Sequence, residues 1–171
     1  MGYDPNIHHR RSIRLKGYDY SQAGLYFITI NIQHRKCLFG TIERREMVVN
    51  DFGIIASQEW EKLPEQFTNI ALDVFQVMPN HIHGILLLTG AASCPAKTIT
   101  VGNIVGAYKS QVANLCLTIF KQKHPGEIMG KLWQRNYHEH IVRDEQSFLR
   151  IAHYITNNPS NWNEDRFYTD E

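Results

Sequence analysis

Two short runs of this chain hold side chains that can do chemistry. His81 and His83 flank Ile82 in Met78-Pro79-Asn80-His81-Ile82-His83-Gly84-Ile85-Leu86-Leu87-Leu88. Tyr154 and Asn158 stand four residues apart in Ala152-His153-Tyr154-Ile155-Thr156-Asn157-Asn158-Pro159. Residues two apart on a strand point to one face. Residues four apart on a helix are neighbours on one face. The chain therefore offers an imidazole pair on a strand, and a phenol beside an amide on a helix. Brought together, these supply three metal ligands and a nucleophile, the groups needed for metal-assisted attack on a phosphodiester.

Each pair also has a plainer reading. A lone His-x-His is more often a hydrogen-bonded core histidine beside a solvated one. Tyr154 and Asn158 alone read more readily as a packed tyrosine and a helix end. A phenol with a pKa of about 10 is a poor nucleophile unless a metal or a base assists it. Two other His-x-His chemistries fail on neighbouring residues. A histidine-triad nucleotide hydrolase needs a third histidine at position 85, and a His-x-His-x-Asp-His hydrolase needs Asp then His at 85 and 86. Ile85 and Leu86 stand there.

The elements that must position these groups follow from local pattern. Gly24 to Ile32 is rich in β-branched and aromatic residues and predicts a strand. Arg35 to Val49 predicts a short hairpin or loop with Gly40 as its turn residue. Asn50 or Asp51 caps a helix to about Leu63, where Pro64 breaks it. Ile70 to Val77 and His81 to Leu88 predict two strands joined by Met78-Pro79-Asn80, and the apolar second one predicts a central strand covered on both faces. Thr89 to Lys97 is a small-residue loop. Thr98 to Lys123 carries Ile104, Ala107, Val112, Leu115 and Ile119 at helical spacing. Leu132 to Val142 alternates and predicts a fourth strand. Asp144 caps a last helix through Asn158, closed by Pro159. The order predicts an α+β fold: a ferredoxin-like βαββαβ domain with a central antiparallel sheet and an added C-terminal helix. Linking loops are short, so 1–171 reads as one domain, with a basic arm at 1–20 and a tail at 160–171.

Composition is that of an ordinary soluble globular chain of 171 residues. Net charge is +1 but unevenly spread. Residues 1–50 hold eight Lys/Arg against four Asp/Glu, and Arg10, Arg11, Arg14 and Lys16 fall within seven residues. Such an arm suits a phosphate backbone, and equally a solvated tail. Cys37, Cys94 and Cys116 are odd in number and widely spaced, which argues against a disulfide framework or structural zinc and fits a reducing cytoplasm. The N-terminus has no apolar stretch for a signal peptide. The longest apolar run, Ile85 to Leu88, is too short to cross a bilayer.

Taken together, the motifs resemble the single-tyrosine HUH transposases, and specifically the REP-associated tyrosine transposases of bacteria. The resemblance rests on Arg11 to Tyr20 leading into Tyr26-Phe27-Ile28-Thr29, on Cys37-Leu38-Phe39-Gly40, and on Val77-Met78-Pro79-Asn80-His81-Ile82-His83. It continues through Trp133 to Arg143 and the Tyr-Ile-x-x-Asn-Pro run at 154–159. It implies Mg²⁺ or Mn²⁺ held by His81, His83 and Asn158. Tyr154 would be the nucleophile on single-stranded DNA, forming a 5′-phosphotyrosine link and a free 3′-hydroxyl. The arm at Arg10, Arg11, Arg14 and Lys16 would grip a DNA hairpin. Relatives of this kind act as homodimers or monomers, so both states stay open.

Remaining residues carry less. Lys109 and Arg135 are DNA contacts in this reading, although a solvated lysine is the plainer role for Lys109. Trp133, Tyr137, His138 and His140 suit either base stacking or cross-strand packing. His153 lies about a hundred degrees round the helix from Tyr154 and is not the expected base. Asn163 to Glu171 reads as a frayed acidic tail rather than a regulator of the site. Rival readings are a domesticated hairpin-binding protein without transposition activity, a replication-initiator or relaxase relative, and a phosphoesterase using water.

Overall fold

The computed structural model describes residues 17–89 and 99–169. The arm residues Arg10, Arg11, Arg14 and Lys16, and Cys94, lie outside the described residues. Among the described residues, six strands and four α-helices follow in chain order: β1 Gly24–Asn31, β2 Gly40–Glu43, β3 Glu46–Val49, α1 Asp51–Glu61, α2 Leu63–Gln66, β4 Ile70–Met78, β5 His81–Leu88, α3 Val101–Lys123, β6 His138–Val142 and α4 Glu145–Asn157. Four strands form one antiparallel sheet in the order β4-β5-β1-β6, and β2-β3 is a separate hairpin. The first and third strands of the motif are central, which is the ferredoxin-like arrangement expected from the element order.

Side-chain alternation divides the sheet into two faces. Tyr26, Ile28 and Ile30 of β1 join Ile82, Leu86 and Leu88 of β5 in the main core. Trp60 of α1 covers them, stacked on Phe75 at 4.8 Å and edge-on to Tyr108 of α3 at 5.5 Å. Gly84 permits this cover. A Cβ there would lie 2.4 Å from Trp60 Cζ2. The opposite face presents Thr29, Asn31, His81 and His83, all buried, and α4 packs across β4, β5 and β6 on that side. β5 is thus covered twice, as its near-continuous apolarity predicts.

Capping sets the helix starts. Asn50 Oδ1 accepts from the amides of Phe52 and Gly53, Thr100 closes a capping box with Asn103, and Asp144 Oδ1 accepts from Ser147 N. α1 ends at Glu61, close to the expected Leu63, and Pro64 sits in the first turn of a separate short helix, α2, where its missing N–H costs nothing.

Three local expectations need correction. The hairpin turn is Arg44-Arg45, with φ of 52° and 70°, while Gly40 opens β2 because a Cβ there would lie 2.1 Å from Val48 O. The fourth strand is only His138–Val142. Trp133 touches the sheet through a single bridge to Ile32, and its indole donates to Lys109 O, so it belongs to the core. The C-terminal stretch is not frayed up to Thr169: a 3₁₀ segment Pro159–Glu164 folds back, and Trp162 and Phe167 are buried. Burial of these two rings against the sheet outweighs the polarity of their neighbours.

Candidate active site

The site lies where β5 meets α4. His81 opens β5 directly after the Pro79-Asn80 turn, and His83 points to the same face. Asn80 fixes the first ring. Its amide nitrogen donates to Phe167 O at 2.8 Å and to Arg35 O at 3.2 Å, leaving Oδ1 to accept from His81 Nδ1 at 2.8 Å. His83 Nδ1 is bonded to Thr29 Oγ1 at 2.8 Å, its cross-strand partner. These contacts aim both Nε2 atoms at one point, 2.9 Å from each other. With hydrogen on both Nδ1 atoms, two lone pairs face each other there, and a shared cation relieves their repulsion. The two nitrogens are close enough that one divalent cation could be held by both.

From α4, Tyr154 brings its hydroxyl to 3.2 Å from His83 Nε2. Asn158, one turn on, is 2 % exposed, and its Oδ1 is buried with no hydrogen-bond partner. Ile155, three residues before Asn158 and on its side of the helix, is buried. Asp165 completes the cluster from the returning chain. Its Oδ2 accepts from Tyr154 Oη at 3.0 Å and from Asn158 Nδ2 at 2.6 Å. Ligand atoms of His81, His83 and Asp165 lie within 4.8 Å of one another, a donor set that fits a divalent metal.

Electrostatics suit this arrangement. Burial, with the guanidinium groups of Arg166 and Arg35, pulls His81 down to about 3. His83 is held well below its ordinary value by burial and by His81. Both rings are therefore neutral at pH 7, as metal ligands must be. Burial and then the Asp165 carboxylate push Tyr154 up to about 12, against weaker opposition from Arg166 and the Asn158 amide.

Comparison with known proteins places the chain. The model of the family described as "Transposase IS200 like" matches residues 32–158. The chain belongs to this IS200-like transposase family. A Haemophilus influenzae protein that is itself uncharacterised is 43% identical, with 98% of each chain covered. A second Haemophilus influenzae protein carries the name of a REP-associated tyrosine transposase, at 28% identity over 82% of this chain and 73% of its own length. In structure, a REP-associated tyrosine transposase solved with a REP hairpin matches with a TM-score of 0.59 and 17% identity, covering 87% of this chain and 74% of that one. That likeness shows the same fold.

In this IS200-like transposase, the four residues singled out by spacing, His81, His83, Tyr154 and Asn158, do meet. Lys109 and Arg135 do not join them. Lys109 Nζ donates to the carbonyls of Gln134 and Arg135 at 2.7 and 3.1 Å, so it ties the β6 approach to α3. Arg135 is exposed on that approach, outside the strand. His153 is exposed and turned from the site. Asp165 was missed by sequence reasoning, as was Phe167, whose ring lies 4.6 Å from His81. The available signal was two large apolar rings, Trp162 and Phe167, flanking an Asp in a stretch otherwise polar enough to fray. Among the described residues, no helix is long and apolar enough to cross a membrane.

Proposed function

We propose that this transposase is a metal-dependent, single-tyrosine enzyme that cuts and rejoins single-stranded DNA at or beside hairpins. The observation carrying the reading is the approach of the Tyr154 hydroxyl to within 3.2 Å of His83 Nε2, where Asn158 and Asp165 also converge. His81 and His83 would hold Mg²⁺ or Mn²⁺ with Asn158 Oδ1 as a third ligand, whose buried and unpartnered state supports the role. Bound there, the cation withdraws charge from the scissile phosphate.

The chain's own groups do the rest. Thr29 and Asn80 orient the imidazoles. Asp165 Oδ2 accepts the phenol's hydrogen bond and is the nearest place for its proton. The Tyr154 oxygen forms a bond to phosphorus as the bond from phosphorus to the 3′-oxygen breaks. The products are a 5′-phosphotyrosine and a 3′-oxygen that takes up a proton to become a hydroxyl. A later 3′-hydroxyl reverses the exchange, so rejoining needs no nucleotide energy source. Arg10, Arg11, Arg14 and Lys16 would hold the hairpin's phosphates, with exposed Arg135 as an outlying contact. The relative solved with a REP hairpin supports hairpin DNA as the partner class.

The test is a covalent-adduct assay with labelled hairpin oligonucleotides and Mg²⁺ or Mn²⁺ on a denaturing gel. A protease-sensitive shifted band is expected, lost with EDTA and in Tyr154→Phe. Capture persisting in Tyr154→Phe would remove Tyr154 from its role. Hairpin binding without any adduct would instead identify a domesticated binder.

A further inference from the structure

A groove leads away from the site along α4. Ser147, Arg150, Ile151, Tyr154 and Asn158 recur at three- and four-residue spacing, so they share one stripe of the helix. From Ser147 to Tyr154 this stripe covers about 10 Å. Opposite it stand β1 and β6. Two adjoining clefts result. The nearer, about 410 Å³, is lined by Phe27, Thr29, His138, Arg150, Ile151 and Arg166 among others. Phe27 links it to the site, its ring 5.3 Å from His83 and 6.3 Å from Tyr154. The farther, about 380 Å³, has Tyr20, His140, Arg143 and Ser147 in its wall. Both are in the size range of small-ligand sites.

The lining has a definite chemical character. Arg166, Arg150 and Arg143 follow one another along the groove. Glu139 and Asp144 are the carboxylates in its walls, and Asp144 spends itself on the α4 cap, accepting from the Ser147 amide and hydroxyl. Arg150 is steadied by Ser147 Oγ at 3.0 Å. Phe27 and Tyr20 place one aromatic ring in each cleft. Spaced guanidinium groups with interleaved rings make a track for an unpaired polynucleotide, phosphates on the arginines and bases against the rings.

We infer that the α4–β6 groove binds the single strand flanking the scissile phosphate, with one nucleotide in each cleft. This rests on the DNA-binding half of the reading above and adds where the strand runs. Arg143 and Arg150 are exposed and lie outside the metal and nucleophile cluster, so replacing them leaves the fold and the site intact.

The experiment is fluorescence anisotropy in EDTA, with a hairpin carrying a short unpaired extension on either its 5′ or 3′ side, and the same hairpin without extension. Arg143→Gln and Arg150→Gln should each weaken binding of one extended hairpin about five- to tenfold and leave the unextended hairpin unchanged. The slope of log affinity against log salt should flatten by about 0.7 per arginine, the value for single strands. Equal loss on extended and unextended hairpins, or no loss on either, overturns the proposal. Adduct formation is scored separately. A chain that shows the extension-specific loss but never forms an adduct keeps the track and loses the tyrosine reading.

Discussion

At the residue scale, His81 and Tyr154 are both held far from their solution behaviour, in ways that can be measured. His81 is kept neutral by burial and by the Arg166 and Arg35 charges, with its pKa near 3. The unfolded chain binds that proton near 6.5, so the folded state binds it more weakly. Stability is therefore full above about pH 6.5 and declines as pH falls toward 3. Between pH 6.5 and 4 the His81 contribution to this loss is about 3 kcal/mol. Urea titrations over this range should show the decline, and His81→Gln should make it shallower, the remainder belonging to His83, which is also held well below its ordinary value. An equally steep profile in the variant would assign the pH dependence elsewhere. Tyr154 is raised mainly by burial and next by Asp165. Asp165→Asn removes that anion, so the phenol should titrate nearer to 10. Tyrosine ¹³Cζ chemical shifts followed against pH, with Tyr154→Phe for assignment, would read this directly. An unchanged titration would mean that burial alone sets the value.

At the element scale, the site depends on how closely α1 lies on the sheet. Gly84 separates His83 from the core side of β5 and takes the face of Trp60. Gly84→Ala places a methyl group inside that ring's volume, so it should cost about 1–3 kcal/mol and move β5 with its histidines. Gly106 is the contrast. It lies within α3, and a Cβ added there meets nothing within 4 Å. Gly106→Ala should stabilise by about 0.5–1 kcal/mol through helix propensity. Chemical denaturation of the two variants settles both signs. A stabilising Gly84→Ala would show that Trp60 does not rest on β5 as described.

At the scale of the whole molecule, the chain's last described turn closes the sheet's polar face. Phe167 is 3 % exposed, lies against His81, and is flanked by the guanidinium groups of Arg35 and Arg166 at 5.4 and 4.5 Å. Its carbonyl holds the Asn80 amide that in turn orients His81. Phe167→Ala should cost about 3 kcal/mol by emptying that volume. It should also speed deuterium exchange in the 78–83 turn, measurable by mass spectrometry, whereas unchanged exchange would uncouple the tail from the turn. Sequence by itself determined much of this protein. Periods of two and 3.6 placed His81 with His83 and Tyr154 with Asn158, and the order of elements determined the ferredoxin-like sheet, because these follow from backbone geometry within a few residues. Only the tertiary structure decided that the two pairs meet. It also decided that Asp165 joins them, that Lys109 is spent on carbonyls, and that the tail is packed rather than frayed. Those outcomes depend on tertiary contacts, from Lys109 with Gln134 and His83 with Tyr154 to Asn80 with Phe167, and no local spacing encodes which distant surface will bury an aromatic ring.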